Sequence, residues 1–142
     1  MSQFDQSPPT YPTPPPTGYQ PHPTVHPTMS SEDRNLGTIA HITPLVLMLA
    51  SGGLAGFLGS LVVYLYAKDR GPVARQYAAT ALNVQIMVAI ASAASYVLMF
   101  VLVGFLTLPI VLVVGIIAHV LGALKANKGE RFEPPLTPTF VN

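Results

Sequence analysis

The chain has 142 residues, half of them apolar, and only 9% are Asp, Glu, Lys or Arg, where a soluble domain carries about 25%. A net charge of +1 without a basic stripe argues against a nucleic-acid partner, and the lack of cysteine excludes disulfides, thiolate metal sites and a cysteine nucleophile. Between Asn35 and Leu124 the only charges are Lys68, Asp69, Arg70 and Arg75, so the runs 35–67 and 76–124 are charge-free and long enough for spans of roughly 20 apolar residues. An all-α integral membrane protein follows, with the lipid bilayer as its solvent.

Residues 1–30 hold nine of the fifteen prolines, mixed with Thr, Ser, Gln, Tyr and His. Such a segment cannot bury enough apolar surface to offset its ordering entropy, so it is expected to be a disordered cytoplasmic tail, locally polyproline II. Its Pro8-Pro9-Thr10-Tyr11 matches a short ligand pattern for proline-binding modules, but chance accounts for it in a tail this rich in Pro and Tyr. The segment lacks the basic start and apolar core of a cleaved signal, so the first apolar run is expected to direct insertion.

Ser30 and Ser31 followed by Glu32 and Asp33 form a helix-start signature, a hydroxyl cap with acids at the positive helix end. The apolar run Leu36–Ala67 is then interrupted by Ser51-Gly52-Gly53. It reads either as one tilted span, 43–66, or as a helical hairpin, 31–51 and 54–68. The cap favours the hairpin because it starts a helix well before Pro44. Gly52, Gly56 and Ser60 recur every four residues, as do Ala55 and Gly59. That spacing lets helix backbones approach closely, within the bundle or in a dimer. Gly52 suits the turn equally well.

Gly71 suits a helix stop and Pro72 the first turn of the next helix. The run 76–124, laid out at about 1.5 Å per residue, exceeds twice the ~30 Å hydrocarbon core. It must turn back, and Gly104–Pro109 is the expected place, with Thr107 as cap. The predicted helices are therefore 31–51, 54–68, 72–103 and 107–127, giving a membrane domain over 31–128. An extended cytoplasmic tail, 129–142, would follow, lying along the membrane or folding back on the bundle. Lys68, Arg70 and Arg75 flank one end of the long pair, and Lys125, Lys128 and Arg131 flank the other. Two crossings bring both clusters to one face, the cytoplasmic one by the positive-inside rule. These residues read as topology anchors, and the cluster Lys68, Asp69, Arg70 and Arg75 could also meet anionic headgroups.

Polar side chains at membrane depth are functional suspects. On a helical wheel Gln76, Thr80 and Asn83 share a stripe, while Gln85, Ser92 and Tyr96 lie roughly opposite. They are expected to hold neighbouring helices or the preceding hairpin by hydrogen bonds, and Asn83 and Gln85 to hold different neighbours. His41 and His119 both fall in the cytoplasmic half, where a pair could hold a proton or a metal. Two neutral imidazoles without carboxylate or thiol make a poor site, so interhelical hydrogen bonding is expected, with no metal and no cofactor.

Three stretches resemble a known family. Asp33-Arg34-Asn35-Leu36-Gly37-Thr38-Ile39-Ala40-His41 looks like the opening motif of a bacterial four-helix membrane protein family of unknown function. That family is similar to the twenty-kilodalton subunit of the chloroplast inner-envelope protein-import translocon. Ala79-Thr80-Ala81-Leu82-Asn83-Val84-Gln85 resembles its "K-E-A-L-N-F-Q" element, with Thr80 and Val84 as departures. Lys125-Ala126-Asn127-Lys128-Gly129-Glu130 with Pro135-Leu136-Thr137 resembles its ending, with Pro134-Pro135 in place of an aromatic-proline pair. The resemblance, over about 31–141, implies four helices with both ends cytoplasmic and no established activity. No HExxH, serine elbow or pair of acids stands in the spans. The expected role is a non-enzymatic accessory or interaction protein, self-associating or bound to other membrane proteins. The alternative is an oligomeric transport or protein-translocation pore component.

Overall fold

A computed structural model describes residues 29–135 and 137–142, so the expectations for the proline-rich tail fall outside it. The described chain holds four helices and no strand: α1 (Ser31–Ser51), α2 (Gly56–Ala67), α3 (Pro72–Leu98) and α4 (Gly104–Lys128). Ser30 caps α1 by a reciprocal box, its hydroxyl accepting from the Asp33 N–H at 3.0 Å while the Asp33 carboxylate accepts from the Ser30 N–H at 3.2 Å. Gly52, left-handed at φ 66, ends α1, and Gly129, at φ 75, ends α4.

Two boundaries differ from the sequence reading. Gly71 does not stop α2, which ends at Ala67; it is instead the N-cap of α3, with Pro72 in the first helical turn. Thr107 caps nothing: the turn comes earlier, through a 3₁₀ segment Met99–Val101 and Leu102 at φ 65, and α4 starts at Gly104. The cause is a close crossing. A Cβ on Gly104 would strike the Ser95 carbonyl and the Met99 backbone, so only glycine lets α4 begin flush against the end of α3. Thr107 then lies inside α4, donating its hydroxyl to Ser95 Oγ at 2.9 Å.

The packing is inside-out relative to a water-soluble bundle. Ala40, Ala67, Ala74, Ala78 and Ala81 are buried, together with His41, Ser60, Gln85, Ser92 and His119. Leu, Ile, Val and Phe cover the outside: Val62 is 66% exposed, Val97 69%, Leu106 69% and Phe100 92%. Water would not tolerate contiguous apolar surface on that scale, whereas lipid has no preference for burying it. α3 continued by the 3₁₀ turn, and α4, are the two helices long and apolar enough to cross a membrane.

All four helices meet at one end. The Arg34 guanidinium donates to the Asn127 carbonyl at 2.7 Å, Arg70 pairs with Glu32 at 3.4 Å, and the Tyr77 hydroxyl donates to the Glu130 carbonyl at 2.7 Å. Both basic clusters therefore sit together. From that end the hairpins have unequal reach. α3 and α4, of 27 and 25 residues, run about 40 and 37 Å, but α1 from Leu36 and α2 run only about 24 and 18 Å. The α1–α2 turn stops beside Ser92, which a Cβ on Gly53 would strike, about 15 Å short of Leu102.

Candidate functional site

The turn of the short hairpin finds its backbone partners within the bundle. Gly52 and Gly53 direct their N–H groups to the Met48 carbonyl, and Ser51 Oγ accepts from the Ala55 N–H at 2.8 Å. Two of the turn's carbonyls are met by α3: Tyr96 donates its hydroxyl to Gly52 O at 2.9 Å, and Gln85 donates its amide to Gly53 O at 3.0 Å. The wholly buried Gln85 thus ties the hairpin to the long α3–α4 pair.

That bond also orients everything beyond it. With Gln85 Nε2 on Gly53, its Oε1 must be the atom 2.8 Å from His119 Nε2, and an amide oxygen only accepts. His119 therefore carries its proton on Nε2 and leaves Nδ1 bare. His41 Nδ1 lies 3.3 Å from that bare nitrogen and donates to it. The hydrogen-bond chain runs His41 to His119 to Gln85 to Gly53, joining α1, α4 and α3 to the turn. It ends in His41 Nε2, buried and without a partner among the described residues. Phe132 of the C-terminal tail lies edge-on to the His41 ring at 5.8 Å, and the helix on the other side approaches so closely that a Cβ on Gly122 would run into the imidazole.

Asn83, two residues from Gln85, faces elsewhere. Its Oδ1 accepts from the Phe140 and Val141 N–H groups at 3.0 and 2.9 Å, and its Nδ2 donates to the Val141 carbonyl at 2.9 Å. Arg75 Nε and the Tyr64 hydroxyl both donate to the Asn142 carbonyl, at 2.9 and 3.1 Å. The tail is thereby held over α3, enclosing a groove of about 680 Å³ lined by Arg75, Gln76, Thr80, Glu133, Thr137 and Thr139 among others. Thr80 returns its hydroxyl to the Gln76 carbonyl at 2.9 Å, and Gln76 is exposed.

The profile of the MamF/MmsF magnetosome magnetite crystal formation protein family matches residues 32–141, from the first turn of α1 to the clamped tail. The chain belongs to that family. The matched stretch coincides with the motif resemblance over about 31–141, and the family's role, magnetite crystal formation, is one that none of those motifs indicates. No curated protein and no solved structure matches the chain.

The small-residue positions are spent within one chain. Gly56 lies against the Gln85 amide and the Pro44 carbonyl, Gly59 against Thr43, Pro44 and Leu47, and Ser60 Oγ donates to the Ala81 carbonyl at 3.5 Å. Gly52 is in the turn. Lys68 stands in the α2–α3 connection and is exposed, while Lys125 sits 5.9 Å over the Phe132 ring. Lys128 and Arg131 are exposed beside the tail. Sequence reasoning gave no role to Gly122 or Tyr77; it put Phe132 in a tail lying along the membrane or folding back on the bundle, and the structure folds it back onto His41. Gly115 and Gly122, seven apart on α4 and both buried, were the available signal for the α1–α4 contact.

Proposed function

We propose that this chain is a non-enzymatic, multi-pass accessory protein of the membrane in which magnetite crystals form, with both described ends of the bundle on the cytoplasmic face. The observation that carries this reading is the match to the crystal-formation family over a bundle whose outer surface is lipid-like and whose polar interior is engaged in holding helices together. Partners would meet it through its exposed ends or its apolar outer faces, as other membrane proteins or further copies of itself. The alternative, a pore component on the pattern of the chloroplast import subunit, would call for an oligomer, since His41, Gln85 and His119 are enclosed within a single bundle.

Deleting the chain from a magnetite-forming cell should alter crystal size or shape by electron microscopy, with wild-type complementation restoring it. Normal crystals in the deletion strain would refute the role. The chain has no cysteine, so single cysteines report topology directly. Asp69→Cys and Leu102→Cys should react with a membrane-impermeant maleimide from opposite faces, and Leu54→Cys, in the short hairpin's turn, from neither. Labelling of Leu54→Cys from the Leu102 side would make α1 and α2 full spans and remove the short-hairpin geometry.

A further inference from the structure

We propose that the groove between α3 and the C-terminal tail binds a phosphoethanolamine headgroup, its phosphate on Arg75 and its ammonium on Glu133. The proposal rests on the membrane reading above, which puts this end of the bundle at headgroup depth.

The groove's volume, about 680 Å³, falls within the roughly 300–1,000 Å³ of small-ligand sites. It is held open by defined contacts: Asn83 clamps the backbone of Phe140 and Val141, and Arg75 and Tyr64 hold Asn142. Its charges are what identify the ligand. Arg75 and Glu133 line the same groove, yet the only ion pair among the described residues is Arg70 with Glu32. Two opposite charges facing one space without meeting fit a ligand that carries both signs on separate atoms. Arg75 uses Nε on the tail, and its terminal nitrogens make no hydrogen bond among the described residues. A guanidinium edge of that kind suits phosphate oxygens, and Thr137 and Thr139 line the same space.

Headgroup chemistry separates the candidates. A primary ammonium offers three N–H donors to the Glu133 carboxylate, whereas a quaternary choline offers none and is ordinarily held by a cage of aromatic rings. Phe132 is the one aromatic lining this groove, and Lys125 already lies over its ring. A phosphoglycerol headgroup has a phosphate for Arg75 but leaves Glu133 facing a net negative ligand. Phosphoethanolamine uses both charges. Ala79 and Val141 add apolar lining suited to the start of a glycerolipid.

The test is headgroup retention by the full chain, purified in micelles doped equally with phosphatidylethanolamine, phosphatidylcholine and phosphatidylglycerol and read by native mass spectrometry. Wild type should retain phosphatidylethanolamine about tenfold over either competitor, the ratio that one good charge-assisted contact supplies. Glu133 is exposed, so its substitution leaves the bundle intact, as circular dichroism would verify. Glu133→Gln should erase most of the preference, and Glu133→Lys should turn it toward phosphatidylglycerol. Displacement by millimolar soluble phosphoethanolamine would assign the site to the headgroup alone, and lack of displacement to the intact lipid; either supports the proposal. Equal retention of all three lipids, or an unchanged preference in Glu133→Lys, overturns it. A chain that fails to enter the micelles at all overturns the membrane reading instead.

Discussion

Asn83 and Gln85 are two residues apart on α3, and replacing each with leucine should break different things. Gln85→Leu keeps the volume but removes the bonds to Gly53 O at 3.0 Å and to His119 Nε2 at 2.8 Å. Hydrogen bonds between membrane helices contribute about 0.6–2 kcal/mol each. Here both orphaned groups, a turn carbonyl and an imidazole N–H, stay buried without a substitute, which puts the cost toward the upper end. The expected destabilisation is about 2–4 kcal/mol. It is measured by titrating the purified chain in mixed micelles with sodium dodecyl sulfate and following helicity. Asn83→Leu loses three bonds to the tail backbone, but the tail rather than the bundle depends on them. Its effect on bundle stability should stay below about 1 kcal/mol, while a cysteine reporter at Val141 becomes more reactive. In Gln85→Leu that reporter should keep its wild-type rate. If Gln85→Leu lies within about 0.5 kcal/mol of wild type, or frees the tail as Asn83→Leu does, the assignment of the two faces is wrong.

Two further outcomes follow from the backbone. Gly122→Ala drives a methyl into the His41 ring and should cost about 1–3 kcal/mol in the same titration; adding His41→Ala should recover part of that loss, and strict additivity would refute the contact. Leu102 holds φ 65, a conformation that strains any side chain, so Leu102→Gly should stabilise the chain by about 0.5–1 kcal/mol after allowing for glycine's greater unfolded-state freedom. A loss of stability there would mean that the turn takes another path.

Much of the helix plan was legible because its signals are local. The Ser30–Asp33 box, the Ser51-Gly52-Gly53 break, Pro72 in a first turn and Gly129 after the last helix each act through their own or adjacent backbone, and the helices stand within a few residues of the predicted bounds. Gly104 was misread for the opposite reason. It marks a close approach to the Ser95 carbonyl on another helix, and a glycine that serves packing looks in sequence like a glycine that serves a turn. The wheel separated Asn83 from Gln85, since periodicity fixes which residues share a face, but it could not say what each face meets.

Composition and pattern alone establish a helical chain with apolar outer faces, and they single out His41, Asn83, Gln85 and His119 as polar residues out of place. Composition and 3.6-residue periodicity act at short range and do not depend on how helices are arranged. Helix packing, by contrast, joins His41, His119 and Gln85 into one oriented chain ending on a turn carbonyl, and lays the tail across α3 so that Arg75 and Glu133 share a groove. Those pairings join residues 32 to 78 positions apart. They depend on how far each hairpin reaches and which helices cross, which packing fixes and no local pattern encodes.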